Sequence, residues 1–382
     1  MKVVIPKETA NGERRVAVVP DVVPKLSGAG FEVWIEAGAG SESHHGDSAY
    51  TDAGARVTGD LDELFNDATA VLKVQPPTLE EVALIPKDAL LISFLYPARN
   101  PEVTQALAHR GVTSLALELI PRISRAQGMD ALSSQASLAG YRAMILAAAR
   151  LDKIIPMQMT AAGTLAPARV FVMGAGVAGL QAIATARRLG AVIEAFDVRA
   201  AVKDEIESLG AKFIEIPLES SEGSGGYAAE QSDDYLRRQR ELLSERVAAA
   251  DIVITTASIP GKKAPVLVTR EMVARMRPGS VVVDLAAESG GNCEVTSPGE
   301  ETIFSGVRIV GLVDVPSSVS VHASQTYSRN VSNFLLALVK DGKIRVDFED
   351  ELVNASCVTH SGEARLGFGG AAKDITPSEG KQ

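Results

Sequence analysis

Short apolar runs alternate with amphipathic stretches along nearly the whole chain. Residues 2–6 read as a strand, and 20–29 as an amphipathic helix ended by Gly30. A strand follows over 31–37, closed by Gly38-Ala-Gly40. Residues 62–68 read as a helix, and 70–74 as a strand running into Gln75-Pro76-Pro77. Residues 89–95, 101–109 and 113–116 continue the series as strand, helix and strand. This β–α alternation predicts a parallel sheet covered by helices. No glycine fingerprint follows its first strand, so no nucleotide site is expected there.

Residues 132–151 are alanine-rich at helical spacing and read as a connector between domains. A second α/β domain then runs from about residue 168 to 317. Inside it, 220–235 is polar and glycine-rich around Ser224-Gly-Gly-Tyr227, the composition of a functional loop. Residues 329–340 read as a second long helix that returns the chain to the first domain. Residues 361–382 read as a mobile tail. The expected organisation is a discontinuous N-terminal α/β domain, 1–130 plus 328–382, closed by the C-terminal helix and tail. A Rossmann domain of 131–327 includes the connector. The fold class is α/β, with two doubly wound domains and mostly parallel sheets.

Chemistry concentrates in Val170-Phe-Val-Met-Gly174-Ala175-Gly176-Val177-Ala-Gly179, followed by a helix, a second apolar run and Asp197. Gly174 permits a tight turn, and Gly176 lets backbone approach a pyrophosphate. Gly179 lets the helix pack closely on the sheet, and the helix N-terminus offers free N–H groups. Asp197 stands where an acid accepts hydrogen bonds from the adenosine ribose and repels a 2′-phosphate, which favours NAD over NADP. Arg199 has three readings: a 2′-phosphate ligand, a pyrophosphate contact or a solvated charge. Ala175 and Val177 belong to the same phosphate-facing turn.

Other segments leave alternatives open. Pro121-Arg122-Ile-Ser-Arg125-Ala-Gln127-Gly-Met-Asp130-Ala-Leu-Ser133-Ser134-Gln135 gathers a guanidinium, an amide and an acid. These groups can orient a nicotinamide and its ribose; equally, the segment is a capping loop in which Ser133 or Ser134 caps the connector helix. Residues 251–261 form a buried strand ending in Thr255-Thr256-Ala257-Ser258. At a strand's carboxyl end, small residues such as Thr256 and Ala257 admit a nicotinamide. Asp284 is either a ligand-end acid or a structural hydrogen-bonding group, with Glu288 and Asn292 beyond it. Arg15 and Lys73 follow strands of the first domain and either clamp a carboxylate or form salt bridges.

The composition, 46% apolar and 23% charged over 382 residues, is that of a globular chain with material for two cores. A net charge of −10 and the lack of basic runs interleaved with aromatics argue against nucleic acid. Arg237-Arg238-Gln-Arg240 reads as a solvated helix face. Two cysteines, Cys293 and Cys357, and five histidines follow no metal-ligand spacing, and no metal is expected. No N-terminal signal and no apolar run of roughly 18 residues is seen, so direct membrane insertion is not expected.

Taken together, Pro6-Lys7-Glu8…Arg15-Val-Ala, the Pro121–Gln127 segment, Gly174-Ala-Gly-Val-Ala-Gly179, Ile259-Pro-Gly-Lys262 and Val283-Asp-Leu-Ala…Gly-Gly-Asn292 resemble the alanine dehydrogenase/transhydrogenase family, over nearly the whole chain. Ser124-Arg-Ala-Gln127…Met129-Asp130 and Ser133-Ser-Gln135 resemble its transhydrogenase branch. That resemblance implies a homodimeric component holding NAD(H). It implies docking on NADP(H)-binding and membrane-spanning subunits, with direct hydride transfer coupled to proton translocation. Arg122, Gln127, Asp130 and Ser133 match the loop at the nicotinamide end, and Tyr227 matches the tyrosine of a closing loop. The implied location is cytoplasmic, peripheral to the inner membrane through partners. Alanine dehydrogenase is the alternative. It would use Arg15 and Lys73 on pyruvate, but needs a histidine where this chain has Leu95-Tyr96-Pro97, and Glu288 stands where that branch has an aspartate. A non-catalytic NAD-sensing subunit is a third class.

Overall fold

A computed structural model of the chain describes residues 1–215, 233–258 and 263–365. Two compact units emerge: Met1–Gln135 with the chain from Ser320 onward, and Ala136–Val319. The sequence expectation places these junctions at residues 130 and 328.

The first unit holds an eight-stranded sheet. Its six parallel strands are Lys2–Ile5, Glu32–Glu36, Arg56–Thr58, Ala70–Leu72, Leu90–Ser93 and Thr113–Ala116. Counted along the chain they lie in the order third, second, first, fourth, fifth, sixth. Cys357–His360 adds an antiparallel strand beside Thr113–Ala116, and Glu363–Ala364 folds back on it through Ser361-Gly362. Both turn residues have positive φ, 50° and 87°, as a tight two-residue hairpin requires. The expected tail thus begins as a hairpin; its remainder lies outside the described residues.

The second unit repeats the winding. Arg169–Met173, Val192–Phe196, Lys212–Phe213, Ile252–Thr255 and Val281–Asp284 are parallel, and Val307–Gly311 extends them. The edge strand Glu301–Phe304 is antiparallel. Successive strand residues face opposite layers, as a sheet covered on both sides demands. Val170 and Val172 enter one core, and Phe171 and Met173 the other. Likewise Val3 and Ile5 part from Val4 in the first unit.

Three helix boundaries differ from expectation for identifiable reasons. Residues 20–29 resolve into a 3-10 turn, Pro20–Val22, and a short helix, Val23–Gly28. Pro24 lacks an N–H and is tolerated only in a helix's first turn, so the helix begins there. The 62–68 helix is Leu61–Phe65, capped by the Asp60 side chain, which accepts from the Asp62 and Glu63 N–H groups. The last long helix is Ser320–Ala337 and starts nine residues before the expected 329. Its buried stripe opens with Ser320, Ser324, Ser328 and Ser332, spaced four apart. Ser324 Oγ accepts the Val16 N–H at 3.1 Å, and Ser328 Oγ the Val19 N–H at 3.0 Å. A small polar stripe of this kind lets backbone come close and carries no hydrophobic periodicity.

Buried charge ties the first unit together. Arg15 Nε donates to Glu13 Oε1 at 2.7 Å, and Arg15 also donates to Gln135 Oε1 at 3.0 Å. The Gln75 amide donates to Glu13 Oε2 at 2.7 Å. Burial alone would raise the Glu13 pKa, but the Arg15 guanidinium and the Gln75 amide outweigh it and bring it down to about 2. The folded-state pKa lies below the ordinary 4.5, so this pair's contribution is complete above about pH 4.5 and fades as pH falls toward 2. The difference corresponds to about 3 kcal/mol. Glu13→Gln leaves Arg15 buried against a neutral partner and is expected to cost about 3–5 kcal/mol at pH 7 while flattening the pH 4.5-to-2 decline. Urea unfolding followed by Trp34, the chain's one tryptophan and a residue of this unit, measures both.

Candidate functional site

In a doubly wound sheet the crevice opens where the winding reverses, beyond the carboxyl ends of two adjacent strands. In the second unit these strands are Arg169–Met173 and Ile252–Thr255, and the residues that follow them are Gly174 and Thr256. Thr256 N–H donates to Met173 O at 2.9 Å, and Thr256 Oγ1 donates to Gly174 O at 3.0 Å.

The three glycines divide the work. Gly174 has φ 102°, and a Cβ there would sit 2.6 Å from Thr256 Oγ1. A Cβ on Gly179 would sit 1.9 Å from Gly174 O, so helix and turn fit only without it. A Cβ on Gly176 would meet nothing within 4 Å. Gly176 is therefore the open face of the turn, and it directly precedes the helix Val177–Arg188. Among the described residues, no side chain caps that helix N-terminus. Uncapped N–H groups beside open backbone suit a phosphate-bearing anion, and this is the observation by which the site fits a dinucleotide.

Asp197 follows Val192–Phe196, with its side chain only 7% exposed. Its Oδ2 accepts the Ala175 N–H at 2.7 Å, and its Oδ1 the Arg199 N–H at 2.8 Å. The Arg199 guanidinium adds contacts to both oxygens at 3.0 and 3.1 Å. Burial would raise the carboxyl's pKa, yet the Arg199 side chain and the two backbone N–H groups outweigh it and hold it below the usual carboxylate range.

Asp284 and Asn292 fix the other wall. Asp284 is fully buried and accepts from Thr255 Oγ1, Thr296 Oγ1 and the N–H groups of Ala286, Asn292 and Cys293, all within 3.0 Å. It is thus a hydrogen-bonding hub of the interior. Asn292 Oδ1 accepts the Ala257 N–H at 2.9 Å, while its Nδ2 donates to Ala257 O and Pro265 O at 2.8 Å each. Glu288 accepts the Asp314 N–H. The latch that Asn292 forms on Ala257 is the functional detail that sequence reasoning missed. Its signal was an amide directly after a glycine pair, eight residues past the strand end. Lys262, Tyr227 and Ile259-Pro-Gly261 lie outside the described residues.

Arg122, Gln127, Asp130 and Ser133 belong to the first unit. Arg122 and Gln127 are exposed, Gln127 within the 3-10 segment Ser124–Met129. Asn330 and Asn333 pin that segment by donating to Gly128 O at 3.0 and 2.9 Å, and Arg125 pairs with Asp350. Asp130 precedes the helix Ala131–Arg150. Its Oδ1 accepts the Ser133 N–H at 2.8 Å and its Oδ2 the Ser133 hydroxyl at 2.6 Å. Asp130, rather than Ser133 or Ser134, is the cap, because its two oxygens serve backbone and side chain of the first turn together.

At the first unit's own winding reversal, the carboxyl ends of Lys2–Ile5 and Ala70–Leu72 meet in ion pairs. Lys73 Nζ lies 2.8 Å from Glu81 and 3.4 Å from Glu8, all three largely buried. Glu8 also accepts the Val74 and Gln75 N–H groups. Of the two readings of Arg15 and Lys73, clamp or salt bridge, the structure has both residues in salt bridges. Tyr96 has φ 44° and donates its N–H to Glu118, with its ring stacked on Phe94. Among the described residues, no cluster of three or more His, Cys, Asp or Glu could hold a metal ion, and no helix is long and apolar enough to cross a membrane.

Residues 4–139 match the description "Alanine dehydrogenase/PNT, N-terminal domain", and residues 143–366 match its C-terminal domain. The chain is 50% identical over 372 residues to the first piece of the divided NAD(P) transhydrogenase subunit alpha of Rhodospirillum rubrum, covering 95% of this chain and 97% of that one. It is 30% identical to the alanine dehydrogenase of Halomonas elongata, covering 95% and 94%. The solved transhydrogenase of Sinorhizobium meliloti superposes with a TM-score of 0.84 at 47% identity, covering 95% and 98%. With both halves matched across nearly its full length, the chain belongs to the alanine dehydrogenase/PNT family.

Proposed function

We propose that the chain is the NAD(H)-binding component of a proton-translocating NAD(P) transhydrogenase. The observation that carries the cofactor reading is the winding reversal of the second unit, with its open Gly176 face, uncapped helix and strand-end Asp197. In this reading Ala175, Gly176 and Val177 receive the pyrophosphate, and Gly174 and Gly179 hold the turn that presents it. Asp197 takes the adenosine ribose, and Thr256 and Ala257, latched by Asn292, border the nicotinamide half. Tyr227 is assigned to the closing loop.

NADH, held by these residues, would supply a hydride for transfer to NADP+ on a partner subunit, giving NAD+ and NADPH. The chain's own task is then to position the ring and exclude water, without acid–base chemistry. Arg122, Gln127, Asp130 and Ser133 serve the nicotinamide end. The Asp130–Ser133 cap supports that role by making both side chains rigid at a helix start. Proton translocation belongs to the membrane-spanning partner, which places this chain in the cytoplasm at the inner membrane.

Identity favours transhydrogenase over alanine dehydrogenase, 50% against 30%. The first unit's crevice agrees with it. Its two cations already have buried carboxylate partners, and Leu95-Tyr96-Pro97 stands where the dehydrogenase needs a histidine. A homodimer is supported by the hairpin of Gln158–Thr160 and Gly163–Leu165, which pairs with no other strand among the described residues. It exposes Met157 at 61%, Met159 at 80% and Leu165 at 47%, apolar surface of the kind that interfaces cover.

NADH fluorescence should report binding to the purified chain, with NADPH at least about tenfold weaker. Reduction of an NADP+ analogue should appear only when an NADP(H)-binding transhydrogenase subunit is added. Alanine-dependent reduction of NAD+ by the chain alone would refute the assignment. Gly179→Ala, which forces helix and turn apart, should abolish NADH binding and lower the melting temperature of the second unit. Light scattering should find a dimer, and Met159→Asp should shift it toward monomer.

A further inference from the structure

We infer that Arg199 is a latent receptor for a 2′-phosphate, kept occupied by Asp197. The acid then excludes a 2′-phosphorylated dinucleotide twice: by its own charge, and by holding the neighbouring guanidinium that would welcome it. This rests on the reading of Asp197 as the ribose acid.

The geometry carries the inference. Arg199 lies two residues past the strand-end acid, on the loop where an adenosine 2′-substituent would come. Its Nε and one terminal nitrogen grip the two oxygens of Asp197 at 3.0 and 3.1 Å, a fork-to-fork pair. The same terminal nitrogen reaches Ala175 O at 3.4 Å. The fork that holds a carboxylate matches a phosphate equally well, because both present two oxygens in one plane. The Arg199 side chain is 56% exposed against 7% for Asp197, so the guanidinium can swing outward while the acid stays in place.

Two other cations of this unit are already engaged. Lys203, one turn further on, pairs with Glu215 at 2.5 Å, and Arg246 with Glu194 at 3.3 Å. The Ala175 and Arg199 N–H groups and the guanidinium together spend both Asp197 oxygens. A ribose diol that donates to Asp197 therefore competes with Arg199 for the same acceptors. The arginine is a placeholder that an NAD-type ribose displaces and a 2′-phosphate could capture only if the acid let go.

Equilibrium titration of NADH and NADPH against four forms of the full chain tests this: the unaltered protein, Asp197→Asn, Arg199→Ala, and the double variant, each checked for an unaltered melting transition. Asp197→Asn should weaken NADH and strengthen NADPH about tenfold. The double variant should lose that gain. Arg199→Ala alone, which needs no change at the acid, should tighten NADH by up to about fivefold, the worth of one exposed ion pair. A gain in NADPH affinity that survives in the double variant would assign exclusion to charge repulsion alone and overturn the inference. So would weaker NADH binding in Arg199→Ala, which would make the arginine a direct cofactor ligand. Unchanged NADH affinity in Asp197→Asn would instead refute the ribose-acid reading, an outcome separate from either.

Discussion

Everything distinctive about this molecule turns on how it treats the place where a parallel sheet reverses its winding. At that place two neighbouring strands send their chains to opposite faces, and the backbone beyond their carboxyl ends is left without cover. Polar groups there need a partner from the protein or from a ligand. Both units have the same strand order and hence the same gap, but they fill it differently. In the first, Glu8 and Glu81 close on Lys73, and the carboxylate of Glu8 takes the Val74 and Gln75 N–H groups. In the second, glycines line the gap and a helix N-terminus faces it uncapped. One crevice is satisfied internally, and the other has unfilled capacity.

That capacity is held by a rigid frame. Asp284 sits in the interior at the end of its strand and collects five donors. One of them, the Asn292 N–H, sets the asparagine so that its amide grips Ala257 from both sides of the peptide chain. A buried polar side chain whose lone pairs are all occupied by donors costs much to disturb. The wall it supports is therefore set before any cofactor arrives, which reduces the ordering that binding must otherwise bring about.

Much of this was legible in the sequence, for physical reasons. The Val170–Gly179 run specifies strand, turn and helix by apolar alternation and by glycines whose missing Cβ atoms the structure requires at Gly174 and Gly179. Central strands such as Thr113–Ala116 stand out because both their faces are buried. The start of the Ser320–Ala337 helix was hidden, because its first buried residues are Ser320, Ala323 and Ser324, and a rule that looks for large apolar residues passes over them. The Ser361-Gly362 hairpin was missed: its two residues carry positive-φ turn chemistry, but the segment they open read by composition as a tail. Asn292 on Ala257, Gln135 on Arg15 and Asp130 on Ser133 depend on side chains meeting across a fold or on which oxygen reaches which N–H. No spacing rule encodes either.

The serine stripe also orders events in time. Ser324 and Ser328 bind the backbone of Val16 and Val19 at sequence separations of 308 and 309. The first sheet's core likewise waits for Tyr327, Val331, Phe334 and Leu335. The second unit is one uninterrupted segment, so on a ribosome it has all its parts while the first still lacks its closing helix. The N-terminal half of the sheet must remain incompletely covered through the synthesis of roughly two hundred further residues, a span set by the insertion of one unit inside the other. The Ser320–Ala337 helix thus covers the earliest part of the chain only late in synthesis.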